Sequence, residues 1–127
     1  MGKFRVLIAE PHEDIREGLA EILGHEFGGK IEVHTAANIV SLSKKLSGRL
    51  SPHLVVMEHH LGPRDEEKAA FVLGLAKANS SVIAMSTDPS VVGLYRHADF
   101  FFHKPFSLQA FIGKIRLIAF EKHGFEL

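Results

Sequence analysis

Four polar groups in this chain each follow a short apolar run. Glu10 follows Val6-Leu7-Ile8-Ala9, Glu58 follows Leu54-Val55-Val56-Met57, Ser86 follows Val82-Ile83-Ala84-Met85, and Lys104-Pro105 comes after Phe100-Phe101-Phe102. Runs of this kind read as buried strands. In an open parallel α/β sheet the carboxyl ends of the strands line one crevice, where ligands and chemistry sit. Two acids, a hydroxyl and an ammonium would therefore converge on one site. The chemistry open to such a set is charge pairing. An acid–ammonium pair at ~4 Å gains about 4 kcal/mol at an effective dielectric of roughly 20, before desolvation is subtracted.

The elements that must hold these groups alternate along the chain. Phe4 to Ala9 predicts the first strand, and Ile15, Leu19, Ile22, Leu23 and Phe27 recur at helical spacing until Gly28-Gly29 stops the helix. Ile31 to Thr35 alternates apolar and polar, as a strand with one less buried face does. A short helix carries Ile39, Leu42 and Leu46, and Ser51-Pro52 breaks the chain before the third strand. The loop Gly62-Pro63-Arg64-Asp65 precedes a helix with Ala69, Val72, Leu73 and Ala76 inward, then the fourth strand runs from Val82 to Met85. Asp88-Pro89 opens a fourth helix, clipped by the early arrival of the fifth strand. Ser107 predicts the N-cap of the last helix, with Leu108, Phe111, Ile112, Ile115 and Ala119 on its inner face. Five strands and five helices in alternation, with right-handed crossovers, place helices on both faces of a parallel sheet.

Bulk composition narrows the function classes. The length of 127 residues fits one domain, read here as residues 1–127 without an output domain. Lys plus Arg equals Asp plus Glu at 15 each, so no global field draws the chain to nucleic acid or to a membrane surface. With no cysteine, disulfides, thiolate catalysis and Cys-type zinc sites are excluded. No apolar run approaches a membrane span, and a cytoplasmic location is expected. No activated nucleophile, Gly-rich phosphate loop or Cys/His pair marks an independent enzyme. The acidic loop Glu10-Pro11-His12-Glu13-Asp14 would repel a flavin phosphate.

Along its whole length the chain resembles the receiver domain of two-component response regulators. The matching pieces are Val6 to Glu10 with Asp14-Ile15-Arg16, Leu54 to Glu58, Val82 to Ser86, and Ala98-Asp99 leading to Lys104-Pro105-Phe106. The resemblance implies a flavodoxin-like α/β/α sandwich in three layers, with a five-stranded parallel sheet ordered 2-1-3-4-5. In that family an Asp ending the third strand accepts a phosphoryl group from a histidine kinase, and two acids after the first strand hold Mg²⁺. The resemblance gives Ser86 the phosphoryl-binding hydroxyl role, Lys104 the lysine role and Phe101 the aromatic switch position.

The departures fall at the centre. Glu58 stands where the phosphoacceptor Asp belongs, Glu10 fills the first acidic position, Pro11 fills the second, and His12 comes next. Mg²⁺ wants near-octahedral oxygen ligands, and a proline side chain has none, so impaired Mg²⁺ binding and no cofactor are expected. Glu58 is one methylene too long for an attack tuned to Asp, and a misplacement of ~1 Å costs roughly 100-fold in rate. The expectation is a degenerate receiver acting as a binding or adaptor module, with Glu58 imitating part of a phosphorylated Asp by reaching toward Lys104 and Ser86. Its partners would be signalling proteins, a histidine kinase or a downstream regulator, or a second copy of the chain. They would dock on the face of the fourth helix, fifth strand and fifth helix, with Leu94, Tyr95, Leu117 and Phe120 exposed there.

Two other readings stand beside it. One is a phosphoacceptor that uses Glu58 unconventionally. The other draws on the nine histidines: His12, His59, His60 and His103 fall on loops after the first, third and fifth strands. With Glu10 and Glu58, residues such as His12, His60 and His103 would form a site for Zn²⁺, Ni²⁺ or Cu²⁺, or a pH-responsive crevice. Separately hydrated loop histidines are the simpler expectation, with His59 and His60 diverging.

Overall fold

A computed structural model describes residues 2–61 and 72–127. The expected loop at Gly62 to Asp65 and the inward position given to Ala69 lie outside the described residues. The strands are β1 (Phe4–Ala9), β2 (Ile31–Ala36), β3 (Leu54–Glu58), β4 (Ser81–Ser86) and β5 (Phe100–His103), all parallel, in the order β2-β1-β3-β4-β5. The helices are α1 (Glu13–Phe27), α2 (Ile39–Ser47), α3, of which residues 72–77 are described, and α4 (Leu108–His123). This is the flavodoxin-like order expected from the sequence.

Alternation along the central strands divides the core into two layers. Val6, Ile8, Leu54, Val56, Ile83 and Met85 face α1 and α4, meeting Leu19, Leu23, Phe111 and Ile115. Leu7, Ala9, Val55, Met57, Val82 and Ala84 face the other way, onto Leu42 of α2, Val72 and Ala76 of α3, and Val91. Every residue of β3 and β4 is buried, as continuous apolar runs covered on both faces require. The edge strand β2 alternates only partly, with Glu32 exposed and Ile31 buried.

Local chemistry sets the helix ends. Gly28, at φ 56°, closes α1 in a conformation that an L side chain rarely adopts. Asn38 caps α2 by accepting from the Ser41 amide, and Ser107 caps α4 by accepting from that of Ala110. Two stripes differ from expectation. Ile15 and Leu108 are exposed, and Ile118 takes an inner position on α4. Both helices begin at the carboxyl edge of the sheet, so their first turns overhang it.

The fourth helix is a 3₁₀ segment, Pro89–Tyr95, capped by Asp88. Tyr95, expected on the surface, is buried instead, with its hydroxyl 2.7 Å from His59 Nδ1. A phenol can enter a core when its O–H finds a partner, and the buried His59 ring supplies one. Leu94, Leu117 and Phe120 are exposed as expected.

Candidate functional site

Register brings the polar groups together. Ala9 pairs with Met57, so Glu10 and Glu58 each sit one residue beyond a paired position on adjacent central strands. Ser86 pairs with His103, which sets Lys104 just past the end of β5. The Lys104 amide donates to the Ser86 carbonyl at 2.8 Å, and the Lys104–Pro105 peptide is cis.

The side chains form a charged chain across the carboxyl edge. Lys104 Nζ donates to Glu10 Oε2 at 3.0 Å and lies 2.8 Å from Glu58 Oε2. Glu10 is fully buried, the Glu58 side chain is 6% exposed and that of Lys104 15%. The second contact is an ion pair at a distance usual for an ammonium and a carboxylate, and it helps to raise the Lys104 pKa even though its alignment is poor. Charge attraction needs no such alignment, and at this length it dominates. Burial alone would favour loss of the Lys104 proton; the Glu58 and Glu10 carboxylates more than offset it and raise the lysine pKa.

Glu10 is engaged on its other side as well. Its Oε1 lies 3.0 Å from Nδ1 of the exposed His12 ring. The Arg16 guanidinium donates to the Glu10 carbonyl at 3.0 Å and approaches that of Pro11 at 3.4 Å, pinning the loop after β1. Arg16 was part of the sequence resemblance, but no spacing rule foretold that it would hold these carbonyls.

Ser86 has a local backbone partner. It is fully buried, and its Oγ accepts from the Asp88 amide at 3.0 Å. Among the described residues no hydrogen bond joins this hydroxyl to Glu58 or Lys104, so the expected reach of Glu58 is met on the lysine side only. Phe101 is half-buried, its ring 5.9 Å from that of Tyr95. His59 and Tyr95 therefore link the residue after Glu58 to the ring at the aromatic position, a connection the sequence reading did not contain.

The histidines do not assemble as a nitrogen–oxygen metal site. Among the described residues no three His, Asp or Glu side chains are placed to share a metal ion. His12 turns to Glu10, His103 Nε2 lies 3.1 Å from the Thr87 carbonyl, and the His59 ring turns to Tyr95. His59 and His60 do not diverge; their rings meet edge-on at 4.7 Å. A different pair clusters at the opposite end of the sheet, where the His53 and His123 rings lie 5.4 Å apart among Phe4 and Phe125. A cavity of about 670 Å³ is also at that end, beside Lys3, Lys30, Phe120 and Phe125.

The Mg²⁺ implied by the receiver resemblance does not fit the residues present. Both Glu10 oxygens already face cationic or N–H partners, Pro11 offers no side-chain oxygen, and the Lys104 ammonium stands between the two acids.

No family model and no curated protein matches this sequence. Solved structures do. The chain is similar to the Thermotoga maritima response regulator TrrA, solved in complex with Mg²⁺-BeF, at 24% identity and a TM-score of 0.74, over 93% of this chain and 99% of that one. It is similar to the receiver domain of an HD-domain protein from Pseudomonas fluorescens at 17% identity and a TM-score of 0.82, over 97% and 99%. A third likeness is to the receiver domain of a DNA-binding response regulator from Colwellia psychrerythraea, at 23% identity and a TM-score of 0.78, over 92% and 98%. With its strand order and these likenesses together, the chain has the fold of response-regulator receiver domains.

Proposed function

We propose that this chain acts in two-component signal transduction as a receiver-like binding or adaptor module that does not itself accept a phosphoryl group. The observation that carries this reading is the closed bridge Glu10–Lys104–Glu58 at the place where a receiver exchanges phosphate. Phosphoryl transfer is mostly positioning and charge neutralisation. Here the neutralising ammonium is committed to two carboxylates, the hydroxyl of Ser86 is turned to the backbone, and the acid in the acceptor position is the longer Glu58. A carboxylate paired with Lys104 imitates one part of a phosphorylated Asp, its contact with the lysine, with one negative charge where a phosphate has nearly two.

The partner would be another signalling protein, met through the face of Pro89–Tyr95, β5 and α4. Leu94, Phe100, Leu117 and Phe120 are exposed on these elements, and exposed apolar side chains there suit a protein partner. None of the described helices is long and apolar enough to cross a membrane, which accords with a role among cytoplasmic signalling proteins.

Intact mass after incubation with Mg²⁺ and acetyl phosphate tests the reading. The expected result is no phosphoryl adduct, beside a conventional receiver that labels under the same conditions. An adduct on Glu58 or another residue would replace the adaptor with an unconventional phosphoacceptor.

A further inference from the structure

We propose that the His53 ring is a pH-responsive latch on residues 125–127. Uncharged, it holds Phe125 against the amino edge of the sheet; charged, it releases the segment. The device lies at the far end of the strands from the Glu10–Lys104–Glu58 bridge and does not depend on whether the chain accepts a phosphoryl group.

His53 immediately precedes β3, and its backbone is fixed on both sides. Its amide donates to the Arg5 carbonyl at 2.9 Å, and its carbonyl accepts from the Ser81 amide at 2.8 Å. The ring is held by the reverse bond, in which the Arg5 amide donates to His53 Nδ1 at 2.9 Å. A ring nitrogen that accepts from a backbone N–H carries no proton, so the neutral ring has its hydrogen on Nε2. Protonation would set two N–H groups facing each other across that bond. With the backbone pinned, the ring must turn.

Turning disturbs one neighbour more than the other. The His53 ring stacks on Phe4, with centroids 5.2 Å apart and planes 13° from parallel, and meets the Phe125 ring edge-on at 4.9 Å. Phe4 is fully buried on β1 and has no room to follow. Phe125 is half-buried and lies just beyond the left-handed Gly124 that ends α4. Its amide donates to the Ala119 carbonyl, and its ring packs on the core beside Leu127. Residues 125–127 also wall the cavity of about 670 Å³, so their release opens it on one side.

The surroundings set the direction of the response. Burial opposes a charge on His53, as do Arg5 on β1, held by the Ser51 carbonyl, and His123 on α4, whose ring is 5.4 Å away. His123 in turn faces Ser81 of β4 at 2.9 Å and Asp99 before β5, itself bound by Lys77. A hydroxyl accepts from a charged ring as readily as it donates to a neutral one, so a proton on His123 needs no movement there. Lys3, Lys30 and Glu126 line the cavity alongside. The closed segment thus binds fewer protons than the open one, and opening grows as pH falls below about 6.5, by up to about tenfold per pH unit.

Amide hydrogen exchange by NMR on the full chain, corrected for its intrinsic pH dependence, tests the latch. From pH 7.5 to 5.5 the protection of the Phe125 amide should fall by up to about tenfold per pH unit below about 6.5, while the Val6 and Val56 amides keep theirs. His53→Asn keeps an acceptor for the Arg5 amide without a titration, so its Phe125 protection should vary by less than about twofold over the same range. His123→Gln should retain the wild-type slope. Phe125 protection that ignores pH in the wild type overturns the proposal. So does a wild-type slope in His53→Asn, a slope lost in His123→Gln, or a loss in which Val6 and Val56 fall together with Phe125. If His53→Asn does not fold, the His53 ring resonance of the wild type decides. Its titration midpoint should match that of the Phe125 amide within about 0.5 pH, and a mismatch overturns the assignment.

Discussion

Replacing Lys104 by Met removes a charge while keeping much of the aliphatic stem, so its effect reports on electrostatics more than on packing. Glu10 Oε2 and Glu58 Oε2 are each in contact with the same nitrogen, so they lie within roughly 6 Å of one another. At that separation, and at an effective dielectric of about 20, two carboxylates repel by about 3 kcal/mol once the ammonium is gone. Removing one partner from a buried ion pair typically costs about 3–5 kcal/mol, which is the expected loss. For a chain of this length it corresponds to a fall in Tm of roughly 10–20 °C. Glu58→Gln should behave very differently. It removes the surplus charge and leaves Lys104 paired with Glu10, so its cost should stay under about 1 kcal/mol.

Urea unfolding of four proteins separates these contributions: wild type, Lys104→Met, Glu58→Gln, and the neutral triple variant Glu10→Gln/Glu58→Gln/Lys104→Met. The triple variant should recover at least half of the Lys104→Met loss, since no unpaired charge remains buried. The sign of the lysine shift gives a further check. Burial favours the neutral amine, Glu58 and Glu10 outweigh it, and the pKa is raised. The lysine's contribution is therefore fully present below 10.5 and is lost only as pH rises through the higher folded value. The gap between wild type and Lys104→Met should be as wide at pH 9 as at pH 7. A Lys104→Met loss under about 1 kcal/mol, or a Glu58→Gln loss as large as it, would refute the charge argument.

Three further outcomes are expected. His53 and His123 both have lowered pKa values, chiefly through burial, with Arg5 and His123 adding to the effect on His53 and Asp99 opposing it on His123. The folded state thus binds fewer protons than the unfolded one, so their contribution is full above about 6.5 and falls as pH drops below it. Because the Arg5 amide donates to His53 Nδ1, His53→Asn can keep the acceptor and lose the titration. Urea midpoints from pH 8 to 5.5 should fall less steeply in His53→Asn, and parallel profiles would dismiss the assignment. Tyr95→Phe takes the hydroxyl from the buried contact with His59 and should cost about 1–3 kcal/mol, read by urea unfolding at constant m; a loss near zero would mean that the contact adds nothing. Ser107→Ala should cost about 1 kcal/mol by leaving the Ala110 amide uncapped, with Ser107→Asp restoring most of it; equal losses in both variants would exclude capping as the cause.

The parts of this structure that were legible in the sequence are those set by short-range chemistry acting in one direction. Leu54 to Glu58 is apolar up to its last residue because both sides of β3 are covered, and the same holds for β4, so the strand ends and their polar followers could be located. Asp88 and Ser107 were recognisable as caps because capping needs only a side-chain oxygen and the next few amides. Tyr95 was misplaced for the converse reason. Its partner, His59, is 36 residues away, and no local period shows that a phenol on a short 3₁₀ segment will find a buried ring. Ser86 ends β4 where the apolar run placed it, and its hydroxyl also accepts from an amide two residues on, a bond that no strand pattern reveals. Serine at a strand end often makes that local bond.

The acid cluster shows the same division at closer range. Convergence of Glu10, Glu58 and Lys104 follows from strand order alone, since parallel strands bring their carboxyl ends to one edge. How the charges are shared does not follow from it. One ammonium facing two buried acids can pair with either or bridge both, and the choice depends on side-chain reach. Glu58 has one methylene more than the Asp of a phosphate-accepting site, and that length carries its oxygen to 2.8 Å from Nζ while Lys104 still holds Glu10 at 3.0 Å. Shortening the acid by Glu58→Asp should therefore loosen the bridge on one side only, leaving the Glu10–Lys104 pair intact. If the bridge is what excludes divalent ions, this variant should become responsive to Mg²⁺ at a lysine that is still present. If it stays inert, exclusion belongs to the Glu10–Lys104 pair and to the missing carboxylate at Pro11, and the extra methylene of Glu58 is incidental.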